Sequence, residues 1–469
     1  MSVRYESRMS DSDALLWNNE RDPMLRSTIL AVMVLDAAPD PARAAEAVQR
    51  SLARIPRLRQ RVALDPLAVA PPRWERDPHF DLGYHVRHLR VPGQGRLREL
   101  FDLIEPIAMQ AFDKDRPLWE LYQVDGLDGG RSAVAIKLHH AVSDGVGLVR
   151  MTSSLVERTR DPEPRHGGVP GASLLEAPPE GPRGAFEAGL DALRYRAGRN
   201  LDRGSRAAAA LARGAGRLLR DPAAALREAA QLTRSLARTL KPVSEPLSPL
   251  WRGRSLAVHF DAASVALDEL KRPARAVGGT LNDAFVASVL GGLRLYHEHH
   301  GRPVEALRMT MPINLREGES GERAGNQFAP ARFAVPVSIA DPALRMRAIR
   351  EAVRAQRAEP ALPLSDEVAG VLARLPRALS VQLFGSLLKA IDFVTSNVPG
   401  PPFPVYLGGA RVERMFGFGP LSGAALNVTL FSYDGSASLA VNTDPAAVPD
   451  PDFLMECIGK GVEEVLSVQ

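Results

Sequence analysis

The sequence predicts an α/β protein built from two domains, and three observations support this prediction. The chain has 469 residues, which is too long for one ordinary hydrophobic core. Strand-like runs alternate with runs of helical spacing in both halves, and the composition is globular, with 45% apolar and 24% charged residues. A proline- and glycine-rich stretch, followed by an arginine-rich one, separates the halves. We therefore expect an N-terminal domain at 1–160, a linker at 161–250 and a C-terminal domain at 251–469.

The N-terminal half alternates helices with strands. A short capped helix leads into a buried strand at 26–35, and an amphipathic helix follows over 41–55 with Asp40 as its N-cap. His85 and His88 lie three residues apart on a predicted strand and so point to opposite faces, which argues against a shared ligand. The other predicted elements of this half are strands at 60–64, 84–91, 121–124 and 132–138, and helices at 97–109 and 146–156.

The C-terminal half continues in the same way. Thr280 and Asp283 fit a capping box that begins a long helix, so Asp283 has a structural role in any case. Asp434-Gly435 is typical of a two-residue hairpin turn. The other predicted elements are strands at 256–260, 308–314, 331–337, 391–396, 425–433 and 437–442, and helices at 263–272, 342–357 and 452–468.

Several classes of protein are excluded by what the sequence lacks. The single Cys457 excludes an internal disulfide and disfavours a structural zinc site. No apolar run approaches the roughly 18 residues of a membrane span, and the N-terminus has no signal-peptide core. No P-loop, G-x-S-x-G or dinucleotide-binding pattern occurs. We expect a protein without cofactor or metal that is cytoplasmic, or peripheral on the inner membrane face or on lipid inclusions.

The segment 183–241 is strongly basic. It contains 12 Arg and 1 Lys against 5 acidic residues, a net charge of +8, which leaves −4 for the rest of the chain. Its leucines recur near helical spacing, and its glycines and Pro222 are predicted to break the helix. Two interpretations stay open: a helical connector whose leucines pack on the domains, or an amphipathic surface that docks on anionic lipid. Nucleic-acid binding is disfavoured because aromatic residues are scarce there.

The central motif is HHAVSDG at 139–145, which ends the strand-like run 132–138. His140 shares the face of the apolar residues of that strand, whereas His139 lies on the opposite face. The Ser-Asp-Gly turn is expected to fold Asp144 back towards the strand end. An imidazole that leaves an apolar strand beside a carboxylate is a plausible general base, since burial keeps it neutral and its neighbours fix its tautomer.

This motif is the HHxxxDG signature of the coenzyme A-dependent acyltransferase superfamily, and the chain resembles the bacterial wax ester synthase/diacylglycerol acyltransferase family. Four further segments match that family in order, so the resemblance extends from near the N-terminus to the last helix. They are the PLW of 117–119, the Asn-Asp of 282–283, MPINLR and GNQ around 311–327, and SNVPGP at 396–401.

The resemblance implies two chloramphenicol acetyltransferase-like domains with mixed sheets, joined by a helical linker, with the active-site tunnel between them. It implies acyl transfer from acyl-CoA to diacylglycerol or a long-chain alcohol, with His140 as general base. It also implies an orienting role for Asp144, paired with an arginine, and supporting roles for His139 and Gly145. Candidate substrate or oxyanion contacts are Trp119, Asn282, Ser396 and Asn397.

Three alternatives are weighed against this interpretation. A peptide-synthetase condensation domain normally sits beside carrier domains, for which this chain has no room. Another HHxxxDG acyltransferase, one that esterifies polyketides or trehalose lipids, fits the motif equally well but not the PLW and SNVPGP segments. A non-catalytic lipid-surface protein on the same fold has no need of an intact HHxxxDG.

Overall fold

The fold contains two six-stranded mixed sheets and a two-stranded ribbon. The computed structural model describes residues 5–67, 69–143, 149, 151–162, 184–240, 243, 245–314, 328–360, 370, 385–386 and 388–469. Both sheets combine parallel and antiparallel pairs, so the prediction of an α/β fold with mixed sheets is confirmed.

The first sheet has the strand order β11-β12-β1-β6-β5-β4. Its central strand, β6, pairs antiparallel with β1 on one side and with β5 on the other. The two-stranded ribbon of β2 and β3 falls between β1 and β4 in the sequence. The strands concerned are β1 (Thr28–Leu35), β2 (Gln60–Ala63), β3 (Arg73–Arg76), β4 (Val86–Arg90), β5 (Trp119–Asp125), β6 (Ser132–His139), β11 (Tyr406–Leu407) and β12 (Ala410–Phe418).

The second sheet has the order β7-β14-β13-β10-β8-β9. The predicted hairpin at Asp434-Gly435 is confirmed, and both residues have the positive φ of such a turn, 43° and 78°. The strands of this sheet are β7 (His259–Ala266), β8 (Ala306–Asn314), β9 (Phe328–Pro336), β10 (Phe393–Pro399), β13 (Leu426–Tyr433) and β14 (Ser436–Thr443).

Ten helices have bounds within the described residues, and several predicted caps are present among them. Asp40 accepts the N–H of Arg43, and Thr280 and Asp283 form the capping box. The helices are α1 (Asp11–Asn19), α2 (Pro41–Arg54), α3 (Leu82–His85), α4 (Leu97–Met109), α5 (Ala185–Arg220), α6 (Pro222–Leu240), α7 (Leu267–Ala276), α8 (Leu281–His299), α9 (Pro342–Arg357) and α10 (Pro451–Leu466).

Three local predictions are wrong. Residues 263–266, predicted to be helical, extend β7, because pairing with β14 outweighs the helical propensity of an alanine-rich stretch. His85 ends the short helix α3 instead of lying on a strand, and it is fully buried. The glycines of 185–220 do not break α5, which is continuous up to Pro222 at the start of α6.

Helix α5 contacts the N-terminal half of the chain through polar side chains and leaves several apolar side chains exposed. Asp191 pairs with Arg8 at 2.7 Å, and Arg199 pairs with Asp11 at 2.7 Å. Among the described apolar side chains of α5 and α6, Leu232 is the only leucine that is half-buried, as the predicted packing on the domains requires. The large apolar side chains exposed to solvent are Phe186, Leu190, Leu193, Leu201, Leu219 and Leu226.

The two halves of the chain interlock. Strand β12, which belongs to the C-terminal half in sequence, pairs antiparallel with β1 of the first sheet. Phe418 at its end stacks on Phe260 of β7, with ring centroids 4.2 Å apart. Phe101 of α4 packs edge-on against Phe418, so an aromatic cluster joins the two sheets.

Within the described residues, no single helix has both the length and the apolar composition to cross a membrane. The pair α7 and α8 meets the criterion only when both helices are taken together, and they are bent by 97°.

Helices α8 and α10 approach each other so closely that glycine is required at the contact. A Cβ on Gly461 would lie 2.2 Å from the carbonyl oxygen of Ser288. We predict that Gly461→Ala lowers the free energy of unfolding by about 1–3 kcal/mol through overpacking. Urea denaturation of the purified chain measures this change.

Gly459 of the same helix is the matched control, because no atom lies within 4 Å of a Cβ placed there. Gly459→Ala should raise the free energy of unfolding by about 0.5–1 kcal/mol, as expected for alanine in a helix. Equal effects of the two substitutions would contradict the close approach.

Candidate active site

The motif at 139–145 begins at the last residue of β6, a strand that is buried along its whole length. Val134, Ile136 and Leu138 face the core beneath α2, while the opposite face is also enclosed. On that second face, Lys137 has no exposed surface, and its Nζ lies 3.5 Å from Glu120 and 4.4 Å from the centre of the Phe112 ring. Burial lowers the pKa of Lys137. The turn that follows therefore begins from a strand held rigidly on both sides.

His140 is half-buried at the first position after β6. Its N–H donates to the carbonyl oxygen of Ser27 at 2.8 Å. A tight turn follows, in which the N–H of Val142 donates to the carbonyl oxygen of His139 at 2.9 Å. Asp144 and Gly145 lie outside the described residues. The catalytic role of His140 and the orienting role of Asp144 therefore stay predictions.

His139 is fully buried and is held from both ring nitrogens. Nδ1 accepts the N–H of Ala141 at 3.0 Å. Nε2 lies 2.9 Å from Oε1 of Glu20, off the ideal hydrogen-bonding line. Burial raises the pKa of the Glu20 carboxyl, but His139, the Ser27 N–H and Lys114 outweigh burial and hold that pKa below its ordinary value.

Trp119 is fixed at the start of β5. Its Nε1 donates to the carbonyl oxygen of Leu58 at 2.8 Å, and its ring stacks on His85 with centroids 4.6 Å apart. Nδ1 of His85 lies 2.7 Å from the Trp119 carbonyl oxygen, and burial lowers the pKa of His85. Trp119 is thus a rigid wall of the core below the motif.

An apolar cavity of about 30 Å³ lies on the same face of β6 as His140. Leu138, two residues before His140 and on the same side of the strand, lines it together with Trp119. Ser51 of α2 and Ser154 form a hydrogen bond of 2.6 Å that joins two of its walls. The other lining residues are Val48, Leu52, Leu58, Leu121, Ile136, Met151, Thr152 and Leu155.

The predicted residues of the C-terminal half fall in two places. Ser396 and Asn397 are half-buried in β10, and their neighbour Val398 belongs to the same hydrophobic cluster as Trp119 and Leu138. Asn282 is half-buried in the first turn of α8, and its Nδ2 lies 3.4 Å from the sulfur of Met311 in the second core. The end of β10 therefore lies on the face of the first sheet that carries Leu138 and Trp119. Asn282 instead contacts Met311, which belongs to the core of the second sheet.

A second cavity, of about 70 Å³, lies between the two halves, where the resemblance implies a tunnel. Arg26, Thr28 and Met109 line it from the first half, and Arg254 and Ser422 line it from the second. Thr28 is the register partner of His139, so this cavity reaches the end of β6 from the face opposite His140.

One group of potential metal ligands occurs among the described residues. One ligand atom each of His259, Asp261 and Asp452 lie within 4.8 Å of one another. Arg98 lies 3.3 Å from His259 Nε2, so a fixed cation stands beside this group. The group does not involve the motif at 139–145.

Sequence reasoning missed Glu20 and His85. Glu20 ends a short helix without any recognisable motif, and its role depends on a contact with a residue more than a hundred positions away. His85 was placed on the wrong element. In both cases only the tertiary structure reveals the partner.

Comparisons with known proteins agree along the whole chain. The wax ester synthase/diacylglycerol acyltransferase catalytic domain matches residues 9–285, and the C-terminal domain of the same family matches residues 324–465. A Mycobacterium tuberculosis protein named as a diacylglycerol O-acyltransferase is 37% identical over 468 residues, covering 100% of this chain and 93% of that protein. A second M. tuberculosis protein of that name is 32% identical, covering 98% and 97%.

Solved structures show the same fold. The wax ester synthase/diacylglycerol acyltransferase of Marinobacter aquaeolei aligns with a TM-score of 0.64 and 22% identity over 98% of both chains. The first condensation domain of the CDA synthetase aligns with a TM-score of 0.60 and 18% identity, covering 100% of this chain and 97% of that domain. Together with the two domain matches, these findings show that the chain is an acyltransferase that belongs to the wax ester synthase/diacylglycerol acyltransferase family.

Proposed function

We propose that the chain transfers a long-chain acyl group from acyl-CoA to the hydroxyl of diacylglycerol, of a long-chain alcohol, or of both. His140 takes the hydroxyl proton as the oxygen attacks the thioester carbonyl. The tetrahedral intermediate then loses the thiolate, and His140 returns the proton to its sulfur. The half-buried His140 at the end of a rigid strand is the observation that carries this proposal.

The family assignment favours this reaction over the alternatives from the sequence. Both M. tuberculosis relatives carry the name diacylglycerol O-acyltransferase, whereas the condensation domain is similar in fold alone. The non-catalytic alternative is not favoured either, because the matched catalytic domain includes an intact motif. Asp144 as orienting carboxylate, and Asn282, Ser396 and Asn397 as substrate contacts, belong to this proposal.

The acyl chain is proposed to occupy the cavity beside Leu138. It starts within two residues of His140, about 7 Å along a strand, and a hydrocarbon chain needs walls of this apolar kind. Since the cavity holds only about 30 Å³, it would receive the end of the chain. Its size would then limit the acyl-chain length.

The chain is also proposed to act at a lipid surface, as a cytoplasmic protein bound peripherally to the inner membrane face or to lipid inclusions. Phe186, Leu190 and Leu193 follow a spacing of four and three residues, so they form one outward stripe on α5. Arg194 and Arg196 are exposed beside this stripe. An apolar stripe flanked by cations fits the boundary of an anionic lipid surface.

We predict that His140→Ala lowers kcat for ester formation by about 10²–10⁴-fold, the usual contribution of a general base. The assay follows labelled palmitoyl-CoA with hexadecanol and, separately, with dioleoylglycerol. Asp144→Ala should also lower the rate. The exposed His88 provides the control, and His88→Ala should react as the native chain does. An ester yield that is unchanged in His140→Ala would contradict the role of His140 as general base.

We predict that Val48→Phe shifts the preferred acyl-CoA towards shorter chains, because the added ring fills the cavity that Val48 lines. Competition among acyl-CoA substrates of graded length measures the preference. Ala45→Phe adds the same ring to the exposed side of α2 and should leave the preference unchanged. The same length profile in both variants would place the acyl chain elsewhere.

We predict that Phe186→Ser/Leu190→Ser weakens binding to phosphatidylglycerol vesicles by about tenfold or more, since each substitution removes apolar area worth about 1.5–3 kcal/mol when buried. Vesicle sedimentation measures the binding. Leu247→Ser/Leu344→Ser, at exposed leucines away from α5, is the control. Binding that survives the α5 substitutions, or is absent in the native chain, contradicts this docking surface.

A further inference from the structure

Glu20 touches both segments that hold His140. It is the C-cap residue of α1, and its side chain is 8% exposed. Its Oε1 accepts the N–H of Ser27 at 3.0 Å and lies 2.9 Å from Nε2 of His139. Ser27 in turn accepts the N–H of His140, and His139 is covalently joined to it. One carboxylate oxygen thus contacts both Ser27, which accepts the N–H of His140, and His139, which precedes His140 in the chain.

The N–H of Ala141 defines the tautomer of His139 and so directs the ring proton towards Glu20. Because Nδ1 accepts the N–H of Ala141, the proton of the neutral ring must lie on Nε2, towards Glu20. A flipped ring would set a C–H group against that N–H and would lose the contact. Trp17 and Phe112 pack against the ring at centroid distances of 5.6 Å and 6.1 Å, which leaves the ring in an enclosed site.

We propose that Glu20 is a positioning residue for the acyl transfer, which acts through His139 and Ser27 to fix the backbone that carries His140. The proposal rests on the proposed function, because positioning matters only if His140 reacts. Glu20 itself transfers no proton. Its acceptor oxygen Oε1 contacts both Ser27 and His139. The two chain segments are thereby held at a fixed distance from each other.

A purely structural ion pair is the competing explanation, and the geometry distinguishes the two. A structural pair joins elements for stability, as Arg345 and Glu464 do at 2.6 Å between α9 and α10. Glu20 instead reaches the hydrogen bonds of His140 and Ala141, the two peptide groups on which the direction of the catalytic side chain depends. A shift of about 1 Å in such a position can cost about 10²-fold in rate.

The experiment compares two substitutions of similar shape in the full chain, Glu20→Gln and Glu20→Leu. Glutamine keeps an acceptor oxygen at the position of Oε1, whereas leucine keeps the volume without an acceptor. We expect kcat of Glu20→Leu to fall by about 10²-fold with KM for palmitoyl-CoA almost unchanged. Glu20→Gln should retain kcat within about tenfold of the native value, since an acceptor oxygen still receives the Ser27 N–H and still faces Nε2 of His139.

Two further measurements complete the test. Glu464→Gln is the control for loss of a structural ion pair, and it should lower the melting temperature without lowering kcat. Nitrogen-15 NMR of labelled histidine, recorded without substrate, should show the Nε2–H tautomer of His139 in the native chain and in Glu20→Gln. In Glu20→Leu the ring loses its contact at Nε2, so we expect it to leave the Ala141 N–H for part of the time and to show a mixture of tautomers.

The outcomes separate the two proposals. A native chain that forms no ester on any acceptor contradicts the proposed function, while the NMR comparison still tests the hold of Glu20 on His139. An active native chain whose Glu20→Leu variant keeps its kcat and its His139 tautomer overturns the positioning role. An equal loss of kcat in the glutamine and leucine variants would also overturn the positioning role. The loss would then follow the negative charge of Glu20, which both variants lack, and not the acceptor oxygen, which glutamine keeps.

Discussion

The burial of β6 on both faces is the constraint on which the rest of the first domain depends. Lys137 and His139 have no exposed surface, and a buried polar group without a partner costs about 1–3 kcal/mol. Glu120 and Glu20 supply those partners from β5 and from the end of α1. A slip of the strand by one residue would move both side chains into the apolar core beneath α2, so the same contacts that offset burial also fix the register.

The second consequence is that the site cannot be assembled by the first half of the chain alone. Strand β12 completes the first sheet beside β1, although it follows β10 in sequence. Tyr433 of β13 accepts the N–H of Val405 and donates to the carbonyl oxygen of Val412, which ties the second sheet to the crossing segment. Val398 thereby reaches the cluster around Trp119. A sequence boundary near residue 251 separates the chain into halves, but the first sheet takes two strands, β11 and β12, from beyond that boundary.

Local chemistry could be predicted from the sequence, and tertiary pairing could not. The caps at Asp40 and Thr280 depend on side chains within three residues, so their patterns were sufficient. The end of β7, residues 263–266, was missed because its alanines form a strand only when β14 pairs with them. The motif containing His140 stood out as a run of seven residues. Glu20 did not stand out, since its role depends on a contact with the ring of His139, 119 positions later in the sequence.

Helix α1 connects the two surfaces that the proposed function requires. Near its first turn, Asp11 pairs with Arg199 of α5, the helix with the outward apolar stripe. At its last turn, Glu20 contacts His139 beside the catalytic candidate. With nine residues at 1.5 Å each, the helix is about 13 Å long, so one short rigid element spans the distance. The proposed lipid-facing helix and the strand end that presents His140 are therefore held in a fixed relation by the same element.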